Sequence, residues 1–274
     1  MCRAVAHDGD YEGRDGLRIA LDDRGVLGIT IDRADRRNSL TDQMIYDLLA
    51  VLECANLDER VRAILFDSTG DDFCSGFDLG GRGGSKQRAG ITQRRLPGHA
   101  HGLVSRITTV QIPIVAAVRG YAAGLGLHIA LAADFCIAAS DAKLWEPFVK
   151  RGFTPDSGGT WLLPRLIGVA RAKRMLMLGE PIDGDRAAEW GLVHAAVPSA
   201  QVSAEANALA VELADGPTVT LGLVKNLVRE GLADDFDSHL AREALSLELS
   251  SRSQDFKEGM AALADKRAAK FTGR

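Results

Sequence analysis

The sequence predicts an α/β protein, a spiral of related ββα units followed by a helical C-terminal oligomerisation region. Strand, Gly-rich turn and helix recur around residues 64–80, 114–132 and 135–160. Beyond Pro198 the pattern is almost entirely helical, with runs such as AEANALAVELADG, TVTLGLVKNLVREG and DSHLAREALSLELS. Several of these runs carry apolar stripes wider than one domain edge needs, which is the pattern of helices that pack on a neighbouring subunit. The 274 residues, 46% of them hydrophobic, suffice for one large domain with a helical appendage. The chain therefore divides into a flexible tail over 1–16, a spiral core over 17–198 and a helical region over 199–274.

Leu17 to Ile31 reads as a β-hairpin, because LRIALDD and VLGITID alternate apolar and polar residues around the turn Asp23-Arg24-Gly25. The polar loop DRADRRNSLT follows, with arginines at 33, 36 and 37 beside a strand end. Such a cluster suits a phosphate or is simply a solvated loop. Thr41 and Asp42 can cap a helix through about Glu53, with Met44, Ile45, Leu48, Leu49 and Leu52 at helical spacing. VRAILFDSTG is a buried strand, and GDDFCSGFDLGG is a Gly-containing turn after it, whose backbone at Phe77 can offer an N–H to a ligand. The Gly/Arg-rich stretch 80–97 reads as a surface loop facing substrate or solvent. Residues 98–109 are helical in pattern, IPIVAAVRG is a buried strand, WLLPRLIGVARAKRMLMLG is a helix with Met175 and Met177 in the core, DRAAEWG is a short helix and LVHAAVP a last strand.

A net charge of −4 with no dense basic run argues against nucleic acid or an anionic membrane as the main partner, and favours a small molecule. Cys2, Cys54, Cys74 and Cys136 lie far apart with no CxxC pairing, so free thiols in a reducing cytoplasm are expected. The N-terminus lacks a signal-peptide core, and no apolar stretch of about 18 residues or more suggests a membrane span. His99 and His101 resemble half of a metal site but have no companions at ligand spacing, so no metal is expected.

The stretch from Gly120 to Gly159 organises the chain. GYAAGLGLHIALAADF feeds a Gly-rich turn into an apolar helix whose first N–H groups are unpaired, which suits an oxygen that gains negative charge. Further on, FVKRGFTPDSGGTWLLP carries one carboxylate, Asp156, among turn residues. By itself that is a turn carboxylate or a working one.

From about Leu17 to Phe271 the sequence resembles the crotonase, or enoyl-CoA hydratase/isomerase, superfamily. The resemblance rests on DRADRRNSL, DDFCSGFDL, IPIVAAVRGYAAGLGLHIALAADFCIAA, PDSGGTWLLPRLIG and EGMAALADKR, in that order. It implies a crotonase-like spiral, a homotrimer or dimer of trimers built through 199–274, and an acyl-CoA thioester whose coenzyme A is part of the substrate, with no separate cofactor. Motif by motif, it places two enolate-stabilising N–H groups at Phe77 and Leu125, with Ser75, Gly76, Asp78 and Gly124 around them. It lays the loop of Arg36, Arg37 and Asn38 along the CoA, and matches Lys266 to a lysine that reaches the nucleotide phosphates; an exposed helix position is the other reading of Lys266.

The departures bear on the reaction. Family hydratases hold a water between two glutamates, and the matching positions here are His128 and Phe148. Phe148 can neither activate water nor carry its proton. His128 is then a neutral hydrogen-bonding wall or a satisfied core histidine. Asp156 matches the working carboxylate of several family isomerases, and PDSGGTWLLPR is similar to the ring-epoxide and double-bond isomerases of phenylacetate breakdown. The flanking Trp145, Phe148 and Phe153 would keep its pocket dry. The expected activity is isomerisation with Asp156 as single acid/base; a hydratase using His128 with Asp156, and a non-catalytic acyl-CoA-binding protein, are the alternatives.

Overall fold

The computed structural model describes residues 6, 7, 10–80 and 90–274, so Cys2 and residues 81–89 of the Gly/Arg-rich loop lie outside the described residues. The chain enters through a small hairpin, β1 (Ala6–His7) with β2 (Asp10–Tyr11). This small hairpin falls within the stretch 1–16 that was expected to be a loose tail. Tyr11 is buried and its hydroxyl donates to Asp58 at 3.3 Å, while Arg14 exchanges backbone hydrogen bonds with Leu17.

The expected hairpin follows as β3 (Leu17–Leu21) and β4 (Val26–Ile31), antiparallel from Leu17↔Ile31 to Leu21↔Leu27. The Thr41 hydroxyl accepts from the Met44 N–H at 3.2 Å and starts α1 (Asp42–Ala55), which buries Met44, Ile45, Leu48 and Leu52. β5 (Ala63–Ser68) pairs parallel to β4. The chain then forms α2 (Ile91–Arg95), a single helical turn inside the stretch expected to be loop, and α3 (Ala100–Thr109).

Next come β6 (Ile114–Val118), β7 (Tyr121–Ala123), α4 (Leu125–Ala132), β8 (Phe135–Ala139) and β9 (Lys143–Trp145). After them lie α5 (Gly159–Leu178), α6 (Gly184–Glu189) and β10 (Ala195–Val197). The six-stranded sheet has the order β10-β8-β6-β5-β4-β3 and is parallel except at β3–β4. β7 and β9 form a second, small parallel sheet, extended by parallel bridges Cys74↔Ala122 and Leu40↔Phe77. Each spiral turn thus gives one strand to the large sheet and a short one to the second layer, then passes into a helix. The repeats seen at 64–80, 114–132 and 135–160 are these turns.

Four helices end the chain: α7 (Val202–Ala214), α8 (Thr218–Gly231), α9 (Phe236–Ser250) and α10 (Gln254–Asp265). α7 lies on the large sheet through Val202, Ala206, Ala210 and Ala214, all buried, whose spacing of four makes one close-packed stripe. In α5, Pro164 and a non-helical Gly168 (φ 75°, ψ 160°) interrupt the helix. Met175 is fully buried there, but Met177 is 67% exposed, because residues two apart cannot share a helix face. Among the described residues no helix is long and apolar enough to cross a membrane.

Asn38 ties the first loop to the spiral. Its side chain is fully buried: Oδ1 accepts from the Arg33 N–H at 2.8 Å, and Nδ2 donates to the carbonyls of Thr69 (2.7 Å) and Asp72 (2.6 Å). Arg37 and Asn38 both take positive φ (50° and 55°), and the strand that follows hands its Leu40 N–H to the Gly76 carbonyl at 2.8 Å. Asn38→Ala removes all three side-chain bonds, leaves the part-buried Thr69 carbonyl without this donor and the Asp72 carbonyl with only the Ser68 hydroxyl, at about 3 kcal/mol. Urea denaturation should show that loss as a lowered midpoint; an unchanged midpoint would refute the tie.

Candidate active site

Two chain segments meet above the ends of β5 and β6. The Cys74 N–H donates to the Tyr121 carbonyl and the Ala123 N–H donates back to the Cys74 carbonyl, both at 2.9 Å. Side chains cannot fit at this crossing. A Cβ on Gly76, whose φ is 97°, would lie 2.7 Å from the Ala123 carbonyl oxygen, and one on Gly126 would lie 2.4 Å from that of Cys74. The same position over Gly76 is 3.6 Å from the Leu125 nitrogen, so the two turns present their backbones side by side. Gly124 caps α4 and the His128 N–H closes the first turn onto its carbonyl. Leu125, the first residue of that helix, has no carbonyl one turn back for its N–H.

A cavity of about 250 Å³ opens at this crossing, with Ser75, Gly76, Phe77, Gly124 and Leu125 in its wall. Ile91 and Leu96 of the segment around α2, with His99, close another side. His99 is buried, sets its ring edge-on to Phe77 and lies 3.0 Å from an Asp42 carboxylate oxygen. Phe148 and Phe153 form a third wall, edge to face at 5.4 Å. Asp156 also lines the cavity and is half-buried. Its Oδ1 accepts from the Ser157 hydroxyl at 3.1 Å, and its carbonyl is held by the His101 ring. Trp145, expected to flank the carboxylate, turns its indole N–H to the Gly179 carbonyl at 2.9 Å and is not among the lining residues.

His128 is fully buried and is not part of the cavity wall. Its Nδ1 is 2.7 Å from the Ser157 hydroxyl and its Nε2 is 2.8 Å from Glu146 Oε1, and Phe148 stacks on its ring at 5.9 Å. Of the two readings its position suggested, the geometry matches a satisfied core histidine, with Phe148 stacked on its ring. Cys74 packs behind the crossing; burial pushes its thiol up to about 12, which keeps it protonated and inert.

The remaining expected site residues divide. Ser75, Gly76 and Gly124 stand in the cavity wall. Arg37 and Arg36 are exposed, Arg37 near Asp72 (3.8 Å) and over the Tyr121 ring, and the Arg37 carbonyl accepts from the Ser75 N–H at 3.0 Å. Asn38 has its side chain committed to backbone groups and shapes the loop. Asp78 is likewise committed: the Gly80 N–H, with Arg33 beside it, holds its carboxyl below the usual carboxylate range, and Arg33 is bound in turn to Asp78 and the Ser39 carbonyl. Lys266 is an exposed C-cap at φ 54° and does not line the cavity. His99 and His101 go to different partners, and among the described residues no three His, Cys, Asp or Glu side chains converge as a metal site.

Sequence reasoning missed Ser157 and Glu146. Glu146 had a signal: the alternation of β9 continues past its end, with Leu144 and Glu146 buried between exposed Lys143 and half-buried Trp145. Ser157 had none beyond its place next to Asp156.

The profile of the family described as Enoyl-CoA hydratase/isomerase matches residues 22–274. The 1,2-epoxyphenylacetyl-CoA isomerase of Escherichia coli is 36% identical over 256 residues, covering 92% of this chain and 97% of that one. The crotonyl-CoA hydratase of Syntrophomonas wolfei is 33% identical over 243 residues, covering 88% and 92%. The crystal structure of an enoyl-CoA hydratase from Bacillus anthracis superposes with a TM-score of 0.88 at 28% identity, covering 94% of this chain and all of that one. With the spiral, the crossing of two Gly-rich turns and the cavity on it, these likenesses establish that the chain belongs to the enoyl-CoA hydratase/isomerase family of the crotonase superfamily.

Proposed function

We propose that the protein is an acyl-CoA isomerase that moves a double bond, or rearranges a ring epoxide, through a thioester enolate, with Asp156 as its single acid/base. The observation that carries this reading is that Asp156 is the only carboxylate among the described residues lining the cavity that Phe77 and Leu125 also line. For a 3-enoyl thioester, Asp156 takes a proton from the α carbon, the electrons pass into the thioester oxygen, and the dienolate receives the same proton at the γ carbon. The backbone N–H groups of Phe77 and Leu125 bind the oxygen as its charge grows. The step is redox-neutral and returns its proton. Phe148 occupies the place where a second acid would manage a water, and His128 lies behind it with both nitrogens engaged, which argues for isomerisation over hydration.

Coenzyme A would lie on the exposed loop of Arg36 and Arg37, whose backbone is joined to Ser75 in the cavity wall. Self-association as a homotrimer or dimer of trimers is supported by the apolar side chains that α8, α9 and α10 leave exposed, among them Phe236 (76%), Leu245 (73%) and Leu263 (72%). Sedimentation should give three or six chains, and Leu245→Glu should shift the mass downward; a monomeric wild type would end this reading.

The purified protein should convert a 3-enoyl-CoA to its conjugated isomer without gain of water. Asp156→Asn should lower kcat by about 10²–10⁴ while the protein stays folded. Leu125→Pro deletes one N–H at a helix position that tolerates proline and should cost about 10²–10³ in kcat, whereas Leu125→Ala keeps the N–H and most activity. Hydration of a 2-enoyl-CoA with no isomerisation, or full activity of Asp156→Asn, would overturn the assignment.

A further inference from the structure

We propose that Ser157, His128 and Glu146 are positioning residues for Asp156, a buried hydrogen-bond relay that holds one carboxylate oxygen and leaves the other to exchange protons with substrate. The relay rests on the reading of Asp156 as the acid/base. It runs Asp156 Oδ1, Ser157 Oγ (3.1 Å), His128 Nδ1 (2.7 Å), His128 Nε2, Glu146 Oε1 (2.8 Å). Ser157, His128 and Glu146 are at most 1% exposed. Glu146 Oε2 has no hydrogen bond among the described residues, so His128 is the polar group that accounts for this buried carboxyl.

Proton counting fixes the directions of the Asp156–Ser157 and Ser157–His128 bonds. A carboxylate only accepts, so the single Ser157 proton goes to Asp156 Oδ1, and the Ser157 oxygen must accept from His128 Nδ1–H. Nε2 and Oε1 at 2.8 Å would set two lone pairs against each other unless one proton lies between them. Whether Glu146 donates to a neutral ring or accepts from a charged one, His128 keeps its proton on Nδ1. Without a group at 146 that can share this proton, the ring is free to carry its hydrogen on Nε2. Ser157 then turns its own hydrogen to Nδ1, and Asp156 Oδ1 loses its donor. Glu146 thus acts on Asp156 through two intermediaries without touching the cavity.

Local packing is arranged around the same contact. A Cβ on Gly159 would lie 2.3 Å from His128 Nε2 and 3.0 Å from Glu146 Oε1, so the second glycine of DSGG is the space in which the imidazole and the carboxyl meet. Phe148 covers the ring from the cavity side.

Kinetics and spectroscopy test the relay together. In ¹⁵N-histidine-labelled protein the His128 imidazole should show a slowly exchanging Nδ1–H whose resonance moves in Asp156→Asn. A ring without Nδ1–H, or one insensitive to Asp156→Asn, overturns the relay whatever reaction the enzyme performs. With the 3-enoyl-CoA, Ser157→Ala should lower kcat by about 10–100-fold at a KM within about twofold of wild type. Glu146→Leu should lower kcat in the same way, and Glu146→Gln, whose amide can donate to Nε2, should recover most of it. The double variant Ser157→Ala/Glu146→Leu should be no slower than Ser157→Ala alone, since the chain is already cut. Multiplying losses, or a Ser157→Ala enzyme at the wild-type rate beside an inactive Asp156→Asn, would remove the relay and leave the role of Asp156 standing. An active Asp156→Asn would remove both.

Discussion

The close approach of two backbones, Cys74–Phe77 against Ala123–Leu125, is the constraint on which the rest of the structure depends. Parallel pairing of β5 with β6 sets the two strand ends side by side, and the missing side chains at Gly76 and Gly126 let the following turns touch. Methyl groups there would push against carbonyl oxygens, and backbone of this kind has no soft way to move aside. Asn38 and the bridge of Leu40 to Phe77 hold one half of this crossing in place. The second small sheet, β7 with β9, holds the other half and carries the chain on toward Asp156.

Around the crossing, two carboxyl groups receive opposite environments. Asp156 is half-buried at the cavity wall, while Glu146 is sealed behind an aromatic ring with a histidine for company. Environment divides the labour of chemically similar groups: an acid/base must reach its substrate, whereas a group that only holds a neighbour's proton benefits from exclusion of water. The cavity itself is bounded by Phe77, Phe148 and Phe153 together with Arg95, His99 and Arg151, so a charge that forms within it meets fixed side chains and backbone dipoles and not mobile solvent alone.

Much of this was legible in the sequence, and the limits are physical. The first hairpin, the Thr41 cap and the spiral turns were readable because each is local: alternation, a capping hydroxyl and a turn glycine act within a few residues. Phe77, Leu125 and Asp156 were placed by motif and do share one cavity. Lost from view were features that depend on distant partners. Tyr11 is ordered by Asp58, α2 folds over a cavity made by other segments, and Glu146 meets a histidine 18 positions away. Asn38 and Asp78 belong to the expected motifs, yet their side chains serve the loop, a role that only the hydrogen-bond partners reveal.

Gly159 also bears on how such a site changes over generations. The volume it leaves is filled by two side chains from two other segments, His128 from α4 and Glu146 from the end of β9. A methyl group at 159 cannot coexist with that pair; Glu146 without His128 is a carboxyl sealed from water with nothing to bond, and His128 without Glu146 keeps only its bond to Ser157. Positions 128, 146 and 159 are therefore sterically coupled: a side chain larger than glycine at 159 calls for smaller groups at 128 and 146, so the neighbourhood of Asp156 is re-tuned most readily when these positions change together.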